Sequence, residues 1–168
     1  MKIKLALATT ALVVGVGLVA QRVAYSHCEI PCGIYGDKTR IVLLEEHIAT
    51  VEKSMSQIQA LTGKTDALSV NQLVRWVENK DEHADKIQHI VTQYFMTQRV
   101  KPKEADSPEY AKYLTQLTSL HEMLIGAMKC KQNVDPSHAT ALRASLDRFV
   151  AAYFSEEDQK HLKEHHDK

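Results

Sequence analysis

Residues 27–35 read His-Cys-Glu-Ile-Pro-Cys-Gly-Ile-Tyr, and within them stand two of the three cysteines of the chain. The stretch before Pro31 is too short for a helix or strand. Gly33 permits backbone geometry closed to other residues, so a compact turn that lets Cys28 and Cys32 converge is expected. Were the chain to begin at His27, its free amine would add a nitrogen donor, the imidazole a second and the deprotonated amide of Cys28 a third. Two thiolates and two or three nitrogens around one ion make a square-planar or tetragonal set, which suits nickel(II) or copper(II) rather than tetrahedral zinc. The competing reading of Cys28 and Cys32 is a disulfide across a small loop, structural or redox-active.

Residues 1–26 supply the means of placing His27 at a terminus. Met1-Lys2-Ile3-Lys4 is a short positive start, Leu5 to Ala20 is an uncharged apolar run, and Ala24-Tyr25-Ser26 presents small residues at the positions a signal peptidase inspects. Cleavage by a leader peptidase after residue 26 is therefore expected, with the protein exported to the periplasm or the extracellular space. The alternatives are a cytoplasmic protein after leader removal, or a membrane anchor if the segment stays uncleaved, since the apolar run approaches the length of a span. The third cysteine, Cys130, stands alone, and an odd number in an exported chain argues against a plain disulfide framework.

The run His-Cys-x-x-Pro-Cys-Gly-x-Tyr, filled here by His27, Cys28, Pro31, Cys32, Gly33 and Tyr35, resembles the nickel superoxide dismutases, whose mature N-terminus is a nine-residue nickel hook. The resemblance extends along the rest of the chain at the level of helix order and the Tyr94-Phe95 pair. It implies one nickel ion per subunit, bound by His27 through its terminal amine and, in the oxidised state, its imidazole. Cys28 would contribute its amide nitrogen and thiolate, and Cys32 the second thiolate. Tyr35 would be the catalytic side chain over the open axial face, ordering water and restricting access to small anions. The implied function is superoxide disproportionation to oxygen and hydrogen peroxide by Ni(II)/Ni(III) cycling, an antioxidant defence carried out by a homohexamer. The alternative is a non-enzymatic helical bundle that sequesters nickel or copper with the same donors. The chain also departs from the family pattern: Glu29 replaces an aspartate, and Val42 stands where a glutamate follows Arg-Ile. The glutamate and arginine that hold the axial imidazole in other members are therefore not carried over. Glu45 or Glu46 would orient the ring instead, with Lys80 or Arg75 as the second-helix candidates.

The elements that must carry these residues are helical. Of 168 residues, 21 are basic and 21 acidic, which gives no footprint for nucleic acid; loss of Lys2, Lys4 and Arg22 with the leader leaves a net charge of −3. Apolar residues recur at helical spacing in four segments: Ile41, Leu44, Ile48, Val51, Met55 and Ile58, closed by Gly63; Leu73, Val77, Ala84, Ile87, Val91, Tyr94 and Phe95, opened by a Ser69/Gln72 capping box and ending near Val100; Tyr113, Leu117, Leu120, Leu124 and Met128, opened by Ser107-Pro108-Glu109; and Leu142, Leu146, Phe149, Val150 and Tyr153, opened by Asp135-Pro136. Four such helices with short polar connections predict an all-α, antiparallel up-down-up-down four-helix bundle with an N-terminal metal-binding hook. The expected organisation is leader 1–26 and a single domain 27–168, comprising hook 27–36, bundle 37–155 and charged tail 156–168. Cys130 reads as a buried, inert thiol off the main stripe of the third helix. His47, His83, His89 and His121 read as surface or hydrogen-bonded residues, and His161, His165 and His166 as solvated histidines of the tail.

Overall fold

The computed structural model describes residues 35–166, and the positions of the leader, His27, Cys28 and Cys32 lie outside the described residues. Every regular element among the described residues is helical: α1 Asp37–Leu61, α2 Ala67–His89 continuing as a π-helical stretch Ile90–Arg99, α3 Tyr110–Gln132, α4 Pro136–Tyr153 and α5 Glu156–His166. None is long and apolar enough to cross a membrane.

Helix α1 follows its sequence pattern closely. All six residues of the expected stripe, Ile41 to Ile58, are buried. The helix ends where Gly63 takes φ +83°, a left-handed turn that only glycine adopts without strain, and Lys64 N–H closes onto the Leu61 carbonyl at 3.1 Å. Helix α2 starts three residues earlier than its capping box suggests. Asp66 is the N-cap, its carboxylate accepting from Ser69 N–H at 3.0 Å, so Ser69 sits inside the first turn. Helix α3 starts later than expected, at Tyr110, because Ser107-Pro108-Glu109 is used up in a turn in which Tyr110 N–H reaches the Ser107 carbonyl. Helix α4 begins as its signal says, with Asp135 capping Ser137 N–H at 2.9 Å and Pro136 in the first turn. The tail forms a separate helix, α5, opened by Ser155, whose hydroxyl accepts from Asp158 N–H.

Two stripes differ from expectation. Val77 is exposed on α2, and α3 buries Leu120, Met123, Ala127 and Cys130 while Met128 faces outward. The α3 face is decided by close approach to α4: a Cβ at Gly126 would meet Leu142 at 3.2 Å, so small residues are needed along that seam. Cys130 therefore lies on the α3 stripe rather than off it, and burial pushes its thiol up to about 11, as expected of an inert cysteine.

Helix α1 packs against α2 and α4, and α3 packs against the same two. Polar pairs stitch the seams. Asn79 donates to Ser54, Gln88 to the Leu124 carbonyl, Gln116 to the Ala152 carbonyl, and Gln59 to the Val134 carbonyl in the α3–α4 connection. Buried Lys80 donates to the carbonyls of Cys130 and Lys131, both at 2.7 Å, and pairs with Asp81, so its charge caps the negative end of α3.

Between α1 and α2, His47 and His83 meet with Nδ1 atoms 3.1 Å apart and rings at 80°. Burial holds both imidazoles below their usual pKa; the charge of His83 on His47, and of Lys86 on both, adds to it against Glu46 and Glu82. The unfolded chain binds these protons more readily than the folded one, so their contribution to stability is present above pH ~6.5 and is lost as pH falls through the lowered folded values. Urea midpoints are expected to fall between pH 7.5 and 5, and the His47→Gln/His83→Gln variant should show a flatter profile. An unchanged profile would assign the acid response to other groups.

Candidate functional site

Tyr35 is the first described residue, two positions ahead of α1, and it is 42% exposed. Its ring lies under the Arg99 guanidinium, whose Cζ stands 4.2 Å from the ring centroid, and meets Tyr94 edge-on at 6.1 Å. A cation over an aromatic face is worth about 0.5–1 kcal/mol at a partly exposed site, enough to bias the ring's position.

Arg99 is itself held by Asp37, the first residue of α1. Its Nε donates to Asp37 Oδ1 at 2.9 Å and a terminal nitrogen to Oδ2 at 2.6 Å, a two-point fork. The same carboxylate accepts from the Tyr94 hydroxyl at 2.5 Å and from the Tyr153 hydroxyl at 2.8 Å. Burial raises the Asp37 pKa, but the hydrogen bonds from Arg99, Tyr94 and Tyr153 and the charge of Arg99 outweigh it, leaving the group below the usual carboxylate range. Burial and then Asp37 push Tyr94 up to about 12 and raise Tyr153 also, so both phenols remain neutral donors. One side chain thus ties the start of α1, the end of the π-helical stretch and the end of α4 together.

The π-helical stretch makes this possible. Val100 N–H bonds the Phe95 carbonyl at 2.8 Å, and the side chains of Thr97 and Gln98 likewise reach back five residues. In an α-helix residues five apart point about 140° away from each other. The wider turn brings Tyr94 and Arg99 closer to one face, where both meet Asp37. Such wide turns recur at functional sites. Phe95, Phe149 and Tyr153 pack as a ring cluster with centroids 4.8–5.7 Å apart, and Arg40 lies over the Tyr94 ring at 5.1 Å. Tyr35, Asp37, Lys38, Arg99, Phe154 and Asp158 line an open hollow of about 410 Å³ at this end, bridged by the Lys38–Asp158 ion pair.

The metal donors expected from sequence, His27, Cys28 and Cys32, lie outside the described residues, so among the expected site residues only Tyr35 is placed. No group of three or more His, Cys, Asp or Glu side chains that could hold a metal occurs among the described residues. The described cysteine, Cys130, is buried with a raised pKa and offers no rival thiolate. Of the residues considered for orienting the His27 imidazole, Lys80 is committed to the end of α3, and Glu46 is exposed beside His47 while Glu45 is half-buried. Sequence reasoning missed Asp37, Arg99 and Tyr153. The signal available for Arg99 was weak, since its spacing from Tyr94 fits no α-helical face.

A family model for nickel-containing superoxide dismutase matches residues 22–157, a span that takes in the whole run from His27 to Tyr35 and the helices through α4. This chain belongs to the nickel-containing superoxide dismutase family. As a nickel superoxide dismutase it is an oxidoreductase that disproportionates superoxide, with nickel as its cofactor, and the sequestering, non-enzymatic alternative is set aside. Comparison with curated proteins and with solved structures found no match.

Proposed function

We propose that the nickel ion of this superoxide dismutase is held by the N-terminus created when a leader peptidase cuts before His27. The donors are the His27 amine and imidazole, the Cys28 amide and thiolate, and the Cys32 thiolate, one ion per subunit. The observation that carries this reading is the intact His-Cys-x-x-Pro-Cys-Gly-x-Tyr run inside the family match, combined with the lack of any group of three or more metal-donor side chains among the described residues. The donor chemistry fits nickel: thiolate and amide nitrogen stabilise the higher oxidation state and favour a planar geometry. Bound there, nickel supplies a one-electron couple that superoxide can both reduce and reoxidise.

The remaining residues position and exclude. Tyr35 follows Cys32 by three residue steps, a span of at most about 11 Å, so the tyrosine stays within reach of an ion bound by Cys32. Its ring, held by Arg99, would restrict access to an ion held there to small anions. Asp37 neutralises Arg99, so the guanidinium serves as a scaffold for the ring more than as an anion receptor. Tyr94 and Tyr153 are spent as donors to Asp37, and Tyr94, raised to about 12, is a poor source of the protons the second half-reaction consumes. Tyr35 is left as the tyrosine of this end that orders water for proton delivery.

The wider organisation follows the same reading. Short connections and the packing of α1 and α3 against both α2 and α4 support the up-down-up-down bundle. We infer a homohexamer in which neighbouring subunits restrain each hook, and export to the periplasm or extracellular space directed by residues 1–26. The role of the His27 amine is read directly from chains that differ only at the terminus. Chains starting at His27 and at a glycine placed before His27 should differ by more than about a hundredfold in nickel-dependent superoxide decay, since removing a ligand costs more than the 10–100-fold typical of outer-shell changes. Equal activity would remove the amine from the ligand set.

A further inference from the structure

The His47–His83 contact lies ten residues along α1 from Asp37, about 15 Å from the site described above, and the superoxide reaction makes no use of it. We propose that these two histidines form a second divalent-metal site, a two-imidazole clamp between α1 and α2 for a late first-row ion such as Zn(II), Cu(II) or Ni(II).

The geometry suits coordination. At the usual metal–nitrogen distance of about 2.05 Å, nitrogens 3.1 Å apart subtend about 98° at a shared ion, between the cis angle of a square plane and the tetrahedral angle. Both histidines sit in the interiors of long helices whose neighbouring residues Ile48, Ala84 and Ile87 are buried, so the two donors are held at this separation before any ion arrives. Each imidazole is partly exposed, which gives an ion an entry path and leaves positions for water. The charged side chains that act on the pair are Glu46, Glu82 and Lys86, with Lys86 ion-paired to Glu82 at 2.7 Å, so the surroundings carry one net negative charge and favour a cation. The lowered pKa values keep both rings neutral near pH 7.5, the form that ligates.

Binding conserves protons there. In the metal-free pair one Nδ1 carries the shared hydrogen; on coordination that ring moves its proton to Nε2, and both Nδ1 lone pairs turn to the ion. Below the pKa of the pair the ion must displace bound protons, so affinity falls with acid.

The test is a Zn(II) titration at pH 7.5 of the nickel-loaded mature protein, and in parallel of the Cys28→Ser/Cys32→Ser chain, whose result does not depend on the hook. Histidine ring resonances and thermal unfolding are both followed. The His47 and His83 resonances are expected to move together with a Kd of about 10–100 µM. The melting temperature should rise by about 3–6 °C at millimolar zinc, because an ion bridging two helices binds only the folded chain. Either His47→Gln or His83→Gln should abolish both responses, while the His161→Gln/His165→Gln/His166→Gln chain should keep them. Resonances of His47 and His83 that stay put, or a thermal shift that survives His47→Gln or disappears with the tail histidines, would overturn the proposal.

Discussion

Replacing Cys28 or Cys32 by serine is expected to strip the protein of nickel and lower its superoxide dismutase activity by more than about a hundredfold. A serine hydroxyl does not ionise near neutral pH and is a hard donor, so the site loses the electron donation that a higher nickel oxidation state requires. Cys130 provides the internal control. It is buried on the α3 stripe with its thiol raised to about 11, and its carbonyl rather than its sulfur is used, as an acceptor for Lys80. Cys130→Ser is expected to cost about 1 kcal/mol, measured by urea unfolding, and to leave activity per bound nickel unchanged. Metal analysis beside an activity assay separates the three variants. Retained nickel in both Cys28→Ser and Cys32→Ser would move the donors elsewhere.

Disrupting the Asp37–Arg99 pair has the next largest consequence. Asp37 accepts four hydrogen bonds from three side chains on two other helical segments, and the side chains of Asp37 and Arg99 are 18% and 28% exposed. Breaking a largely buried pair from one side leaves an uncompensated charge, so Asp37→Asn and Arg99→Met should each cost about 2–3 kcal/mol. The double variant should cost less than the sum by about 1–2 kcal/mol, since both remove the same interaction. The Asp37 pKa is lowered in the folded state, so its contribution is full above the ordinary carboxylate value and is lost as pH falls through the folded one. Arg99→Met should therefore bring the acid limb of the stability profile to higher pH. Because Arg99 also fixes the Tyr35 ring, activity per nickel is expected to fall roughly tenfold, a loss of the size that small misplacements near a reacting centre produce. Full additivity in the urea series would show that the two residues act separately.

How far these features could be read from sequence depends on how local their causes are. The α1 stripe and the Asp135-Pro136 cap are set by side chains a turn apart, and both were legible. Membership of the nickel-containing superoxide dismutase family was legible for the same reason, because the run from His27 to Tyr35 that carries the resemblance is contiguous. The start of α2 was misplaced because Asp66 and Ser69 both carry capping chemistry and only the folded backbone decides between them. The α3 stripe was misread because its register is chosen by α4, through the contact of Gly126 with Leu142. Arg99 was invisible because the π-helical stretch breaks the 3.6-residue period on which helical reading relies. Its partner Asp37 lies 62 residues away, beyond any local pattern.

In the function proposed above, the activity turns on a nickel ion bound by a terminus that exists only after cleavage before His27. The most direct measurement is electron paramagnetic resonance of a chain verified by mass spectrometry to begin at His27, loaded with nickel, with superoxide decay followed on the same sample. A rhombic Ni(III) signal and nickel-dependent decay, both rising in proportion to nickel up to one ion per chain, is the expected result. A verified chain that takes up nickel yet gives no such signal and no decay beyond that of free nickel would contradict it.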